Sequence, residues 1–195
     1  MNSKHKSNNN LALSKYLSYV LRHHPEAAGL KLMTDGWVDT YKLLTAIAAN
    51  SGYKVDLNRL KEIVNTDEKQ RYSFKEMHGD PYALIRANQG HSVKELKMNY
   101  KELIEEELPD YVYHGTSKEN ANKILESGEI KPMSRQMVHL SKDIETATKV
   151  GKRHGELAIF KVDCKKAFHD GKRFYISENG VYLVDRLDTK YTELM

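Results

Sequence analysis

The sequence predicts an α+β chain of two lobes, and three observations carry that prediction. The first 65 residues hold three apolar patterns at helical spacing, alternating runs dominate the remainder, and an acidic stretch ending in Pro109 separates two regions of different charge. A chain of 195 residues suits one larger domain or two small lobes, since domains typically hold about 100–150 residues. With 39% hydrophobic and 30% charged residues it can bury a core, unlike a disordered chain.

The elements follow in order. The opening MNSKHKSNNN lacks the apolar core of a signal peptide and is expected to be disordered. Leu13, Tyr16, Leu17, Val20 and Leu21 then recur at helical spacing, with Asn10 as the expected N-cap and Pro25 as the stop after Arg22-His23-His24. A short GLKLMTDGWV segment turns at Asp35-Gly36. Asp39 or Thr40 can cap a second helix through Leu43, Leu44 and Ile47, and Asp56 can open a third through Leu60, Ile63 and Val64. RYSFKE and YALIRA, joined around His78-Gly79-Asp80-Pro81, predict a β-hairpin. Helix, short strand, helix, helix, hairpin is the order of a winged helix, here assigned to residues 1–97.

Residues 98–110 are expected to be a linker. In the second lobe, residues 111–195, YVYHGTS predicts a strand and turn, and Ser117 caps a helix that ends at Gly128. Val138-His139-Leu140 predicts a short strand, Asp143 caps a helix toward Gly151, and ELAIFKVD, RFYIS and GVYLV predict further strands. A mixed, mostly β lobe results.

Composition narrows the function classes. Cys164 is the one cysteine, which excludes an intramolecular disulfide and disfavours a zinc cluster, so a cytoplasmic protein is expected. No apolar run approaches the roughly 20 residues that cross a bilayer, and no membrane partner is expected. Net charge is +4; residues 1–98 hold fifteen Lys and Arg against ten Asp and Glu, whereas residues 99–195 hold sixteen against seventeen. The first half is therefore the expected surface for a polyanion, although an ordinary solvated basic face has the same balance.

Several residues could carry chemistry. Arg22 and His23 end the first helix, where they either cap its free carbonyls or form an anion site; Arg offers a planar fork for phosphate oxygens and His a proton near neutral pH. Arg71 lies on the strand face opposite Tyr72 and Phe74. The stretch from Arg86 through Gln89 to His91 and Ser92 combines a cation, an amide, a glycine and a hydroxyl suited to phosphate and ribose contacts. His114-Gly115-Thr116-Ser117 follows a strand and precedes a helix, a place for close backbone approach to an anion. Neither GxGxxG nor GxxxxGK[ST] occurs, so dinucleotide-fold and P-loop explanations are unsupported. HExxH and CxxC are also absent, and no metal is expected.

The strings LSKYLSYVLRHHP, GWV, KQRYSF, IRANQGHS, YHGTS, SRQMVHLSKD, VGKRHG and FYISENGVYLV, in this order over nearly the whole chain, resemble the RNA 2′-phosphotransferase family. The resemblance implies an N-terminal winged-helix lobe and a C-terminal lobe like that of ADP-ribosyltransferases. It implies a catalytic set of Arg22, His23, Arg71 and Arg135. It implies an NAD+ site at His114, Gly115, Thr116, His139, Ser141, Asn179, Gly180 and Val181, and an RNA surface that includes Arg86, Gln89, His91 and Ser92. Two departures, Met137 where relatives often carry His and Tyr182 where they often carry Trp, remove no catalytic group. The implied reaction consumes NAD+ as co-substrate: an RNA 2′-phosphate displaces nicotinamide, and transesterification then gives RNA 2′-OH and ADP-ribose 1″,2″-cyclic phosphate. The implied partner is tRNA-like RNA, as in tRNA splicing and other RNA processing, and a monomer is expected. Two rivals remain: an ADP-ribosyltransferase that stops after the first step, and a winged-helix RNA-binding module with a degenerate second lobe. Intact HGTS and VHLS disfavour the second.

Overall fold

A computed structural model describes residues 3–195, with side chains from residue 10 onward. These residues fall into two units divided between Asn99 and Tyr100, each with its own buried core.

The first unit begins with helix α1, Ser3–Arg22, which contains neither glycine nor proline. The expected disordered start is therefore corrected from Ser3 on, and Met1 and Asn2 lie outside the described residues. Asn10 is not an N-cap. It lies inside α1, where its Oδ1 accepts a hydrogen bond from Arg59 Nε at 3.0 Å. Leu13, Leu17, Val20 and Leu21 are fully buried along one stripe of α1, as the 3.6-residue period requires. Pro25 opens a short 3-10 turn, Pro25–Ala28. Strand β1, Val38–Asp39, leads into helix α2, Thr40–Asn50, and helix α3 spans Leu57–Asn65. Both helices start on aspartate caps: Asp39 accepts from the Lys42 amide and Asp56 from the Arg59 amide, each at 2.8 Å.

Strands β2, Tyr72–Met77, and β3, Asp80–Ala87, form the expected hairpin. Its two turn residues, His78 and Gly79, both have positive φ (54° and 82°), the mirror-image turn that matches strand twist. The antiparallel sheet has the order β1-β3-β2, with Val38 opposite Ile85 and Tyr72 opposite Ala87. Tyr72 ties it to α1: its hydroxyl donates to the Ser14 carbonyl at 2.7 Å and receives the Ser18 hydroxyl at 2.6 Å.

The second unit takes up most of the acidic stretch expected as a linker. Strand β4, Lys101–Glu102, and a 3-10 turn, Glu105–Glu107, lie within that stretch, and Leu103 and Leu108 are buried in the unit's core. Two leucines in so charged a stretch give no periodic signal. Next come β5 (Tyr111–Ser117), α4 (Lys118–Ser127), β6 (Glu129–Ile130), β7 (Val138–Leu140), α5 (Ile144–Gly151) and β8 (Leu157–Asp163). Helix α6 (Cys164–His169), β9 (Phe174–Ile176), β10 (Tyr182–Val184), β11 (Leu187–Asp188) and β12 (Thr192–Leu194) complete it. The strands form three antiparallel sheets, β12-β8-β5, β4-β9-β10-β7 and the pair β11-β6. The result is a mixed α/β molecule with small antiparallel sheets.

Two contacts set the geometry of β5. Tyr113 and Ser141 exchange backbone hydrogen bonds at 2.8 and 2.7 Å, a single bridge joining the first two of those sheets. Helix α5 packs directly against β5 at Gly115, where a β-carbon would lie 1.9 Å from the Ala147 carbonyl oxygen. That position admits hydrogen only.

Candidate active-site residues

In the first unit, three distant parts of the chain meet at the end of α1. Arg22 is the last residue of the helix and His23 the first beyond it, its amide still donating to the Tyr19 carbonyl at 3.0 Å. The segment Asn88–Ser92, just beyond β3, folds back on it: the Ser92 amide donates to the Arg22 carbonyl at 3.0 Å, and His23 Nδ1 lies 2.9 Å from Ser92 Oγ. Gly90 sits beside Arg22 with a positive φ of 88°, and a β-carbon there would make an ordinary 3.5 Å contact with Arg22 Nη1. The other end of the segment is fixed to the approach to β2: the Asn88 amide donates to the Arg71 carbonyl at 2.8 Å, and Asn88 Nδ2 to the Gln70 carbonyl at 2.7 Å. Five residues are thus held by Arg71 at one end and by Arg22 and His23 at the other.

Arg71 is itself fixed by Asp67. The carboxylate accepts the Arg71 amide at 2.6 Å and forms an ion pair with its guanidinium. The i,i+4 spacing of Asp67 and Arg71 could have signalled that pair, but the preceding helix ends at Asn65, so helical spacing was no guide there.

Gln89 and Ser92 are partly exposed, whereas Arg86 and His91 are buried. Arg86 lies 4.5 Å over the Trp37 ring, and its Nη1 donates to the Asp35 carbonyl at 3.3 Å. His91 is 1% exposed, and neither ring nitrogen has a hydrogen-bond partner among the described residues. Burial first, then the charges of Arg22, Arg86 and His23, push its pKa down to about 3. His91 is therefore a neutral imidazole set among cations. Sequence alone gave it the same standing as Ser92; only packing separates them.

In the second unit, the residues expected around a dinucleotide gather where the two larger sheets meet. His114 on β5 hydrogen-bonds through Nδ1 to the His139 carbonyl at 3.2 Å. A carbonyl only accepts, so Nδ1 carries the proton. Burial lowers the His114 pKa, outweighing that hydrogen bond, and the neutral ring presents Nε2 as an acceptor. His139 on β7 donates through Nδ1 to the Met137 carbonyl at 2.9 Å. Ser141 follows β7 and holds the bridge to Tyr113. Because Leu140 pairs with Tyr182, the β9–β10 turn containing Asn179, Gly180 and Val181 lies alongside. That turn is closed by Ser177, whose hydroxyl receives the Val181 amide at 3.0 Å and donates to Asn179 Oδ1 at 2.8 Å. Thr116 is buried next to the α4 cap Ser117, and Arg135 is exposed on the segment before β7. The sequence missed the closing role of Ser177 and the pressure of Ala147 on Gly115.

Among the described residues, no three His, Cys, Asp or Glu side chains gather as a metal-ligand set. No described helix is long and apolar enough to cross a membrane.

Residues 8–186 match the model of the family described as "RNA 2'-phosphotransferase, Tpt1 / KptA family". A Nostoc punctiforme protein named "Probable RNA 2'-phosphotransferase" is 44% identical over 181 residues, covering 93% of this chain and 94% of its own. Proteins of the same name from Herpetosiphon aurantiacus and Fusobacterium nucleatum are 43% identical over 185 residues and 41% over 184; each match covers 94% of this chain, and 96% and 97% of theirs. The class so defined is a transferase enzyme. Within it, the chain belongs to the RNA 2′-phosphotransferase, Tpt1/KptA family.

Proposed function

We propose that this chain is an NAD+-dependent RNA 2′-phosphotransferase, in which a winged-helix lobe holds the RNA and an ADP-ribosyltransferase-like lobe holds NAD+. It works as a cytoplasmic monomer on tRNA-like RNA. The observation that carries the reading is the segment Asn88–Ser92, tied at one end to Arg71 and at the other to Arg22 and His23. Two guanidinium groups and an imidazole on such a scaffold suit a phosphate monoester, whose charge persists throughout the reaction.

In this reading Arg22, Arg71 and Arg135 hold the 2′-phosphate, and His23 moves a proton during transesterification, a role worth about 10²–10⁴-fold in rate. Its link to Ser92 Oγ orients the ring. Gln89 and Ser92 contact RNA directly, while Arg86 and His91 support that surface from behind. His114, Gly115, Thr116, His139, Ser141 and Asn179–Val181 hold the nicotinamide and its ribose. The donor set fits that group: the neutral His114 ring offers an acceptor nitrogen to a carboxamide N–H or ribose hydroxyl. NAD+ supplies the ribose carbon that takes up the 2′-phosphate as nicotinamide leaves, and no metal takes part. The products are RNA 2′-OH, nicotinamide and ADP-ribose 1″,2″-cyclic phosphate.

The test is incubation with a 2′-phosphorylated oligonucleotide with and without NAD+, followed by product analysis. Dephosphorylated RNA and the cyclic phosphate are expected only with NAD+; release of inorganic phosphate without it would overturn the proposal. Transesterification builds charge on phosphorus itself, so Arg71→Ala should slow the second step more than the first, by about 10²-fold or more. ADP-ribosylated RNA should then accumulate on a gel, and equal slowing of both steps would refute this division of labour.

A further inference from the structure

Four aromatic rings run in series beside α1. Tyr53 lies 5.7 Å from Tyr16 between ring centroids, Tyr16 lies 6.3 Å from Tyr19, and Tyr19 lies 4.7 Å from His24 with the planes tilted by only 30°. Tyr53 and Tyr16 pack against the hydrophobic core, and core packing accounts for them. Tyr19 differs: it is 43% exposed and contributes little to the core. His24, just past the helix, is exposed as well, and its Nδ1 is held 2.9 Å from Glu26 Oε1. A pair of rings in contact, tilted by 30°, thus lies at the surface.

Its location gives the pair a use. Tyr19 lies in the last turn of α1, and His23, the first residue beyond that helix, still donates its amide to the Tyr19 carbonyl at 3.0 Å, so the two side chains lie one turn apart on the same side. His23 reaches Ser92, beside Arg22. A nucleotide with its phosphate at this cluster would have its own or a neighbouring base within reach of Tyr19. The first half of the chain also carries the positive charge excess, which complements the backbone of a nucleic acid. Aromatic faces bind single-stranded bases without demanding a particular one, because every base has a π-face.

We propose that Tyr19, backed by His24, is a stacking platform for a nucleobase of the RNA strand at or next to the 2′-phosphorylated nucleotide. The inference rests on the proposed function for its substrate, and it adds a site that reads neither phosphate nor dinucleotide. The platform is sequence-tolerant. It acts on binding of the strand and leaves the chemical step untouched.

The test compares wild type, Tyr19→Ala and Tyr19→Phe on two short 2′-phosphorylated RNAs, one complete and one abasic at the phosphorylated and flanking nucleotides. Binding is read by anisotropy of an end-labelled strand, and turnover by single-turnover rates at saturating enzyme and NAD+. Tyr19→Ala should weaken binding of the complete RNA about tenfold, leave the abasic RNA within about twofold and leave the saturated rate unchanged; Tyr19→Phe should retain wild-type affinity. Equal weakening on both RNAs would mean that Tyr19 supports structure only, and no weakening on either would also overturn the platform. If wild type turns over neither RNA, the proposed function fails, while the anisotropy comparison still decides whether a base stacks on Tyr19.

Discussion

His91 shows how much one buried side chain can demand. Its pKa lies near 3 in the folded chain against about 6.5 when unfolded, so between those values the unfolded state binds a proton that the folded state refuses. Stability contributed by keeping this ring neutral is therefore full above about pH 6.5 and is lost as pH falls. From pH 7 to pH 5 the loss from His91 alone should be about 2 kcal/mol. Urea titrations at the two pH values should show that drop in wild type and a much smaller one in His91→Gln. Gly115 makes a different demand. Gly115→Ala places a methyl group 1.9 Å from the Ala147 oxygen and should cost about 3 kcal/mol or more in thermal unfolding, because α5 must move. At this scale Arg22 and His23 were legible, since Pro25 fixed the helix end and hence their place beside it. The buried standing of Arg86 and His91 was not, because it depends on Trp37, Asp35 and Gly36, more than 45 residues earlier in the chain.

Helix starts were the best-marked elements. Asp39, Asp56, Ser117 and Asp143 each cap a helix where a short polar side chain precedes an apolar period. Asp143 accepts the Thr146 amide at 2.7 Å, and that bond is the first cause of its lowered pKa. Asp143→Ala should destabilise by about 1 kcal/mol in chemical denaturation, with Asp143→Asn recovering most of it. The hairpin was legible from His78-Gly79 and its alternating flanks. Four short strands, β4, β6, β11 and β12, and helix α6 escaped notice. Two or three residues carry too little periodicity, and such strands exist only because a partner strand satisfies their amides. The N-terminus erred in the other direction: its polar composition suggested disorder, yet nothing in Ser3–Arg22 breaks a helix already anchored by Leu13 and Leu17.

Across the whole molecule, the two hydrophobic cores share no residue. Leu17→Ala should cost about 2–5 kcal/mol and Phe160→Ala about 3–5 kcal/mol, each within its own core. Amide hydrogen exchange should accelerate in residues of the mutated unit and stay within about twofold in the other, and uniform acceleration along the chain would refute that independence. The second unit has its own internal line, where a reciprocal pair of backbone hydrogen bonds, Tyr113 with Ser141, and the His114–His139 contact join its two larger sheets. His114 lies on one side of that line and His139 on the other, already joined by the hydrogen bond from His114 Nδ1 to the His139 carbonyl. Any molecule gripped by both histidines would add a further tie, converting affinity directly into stiffness along that line.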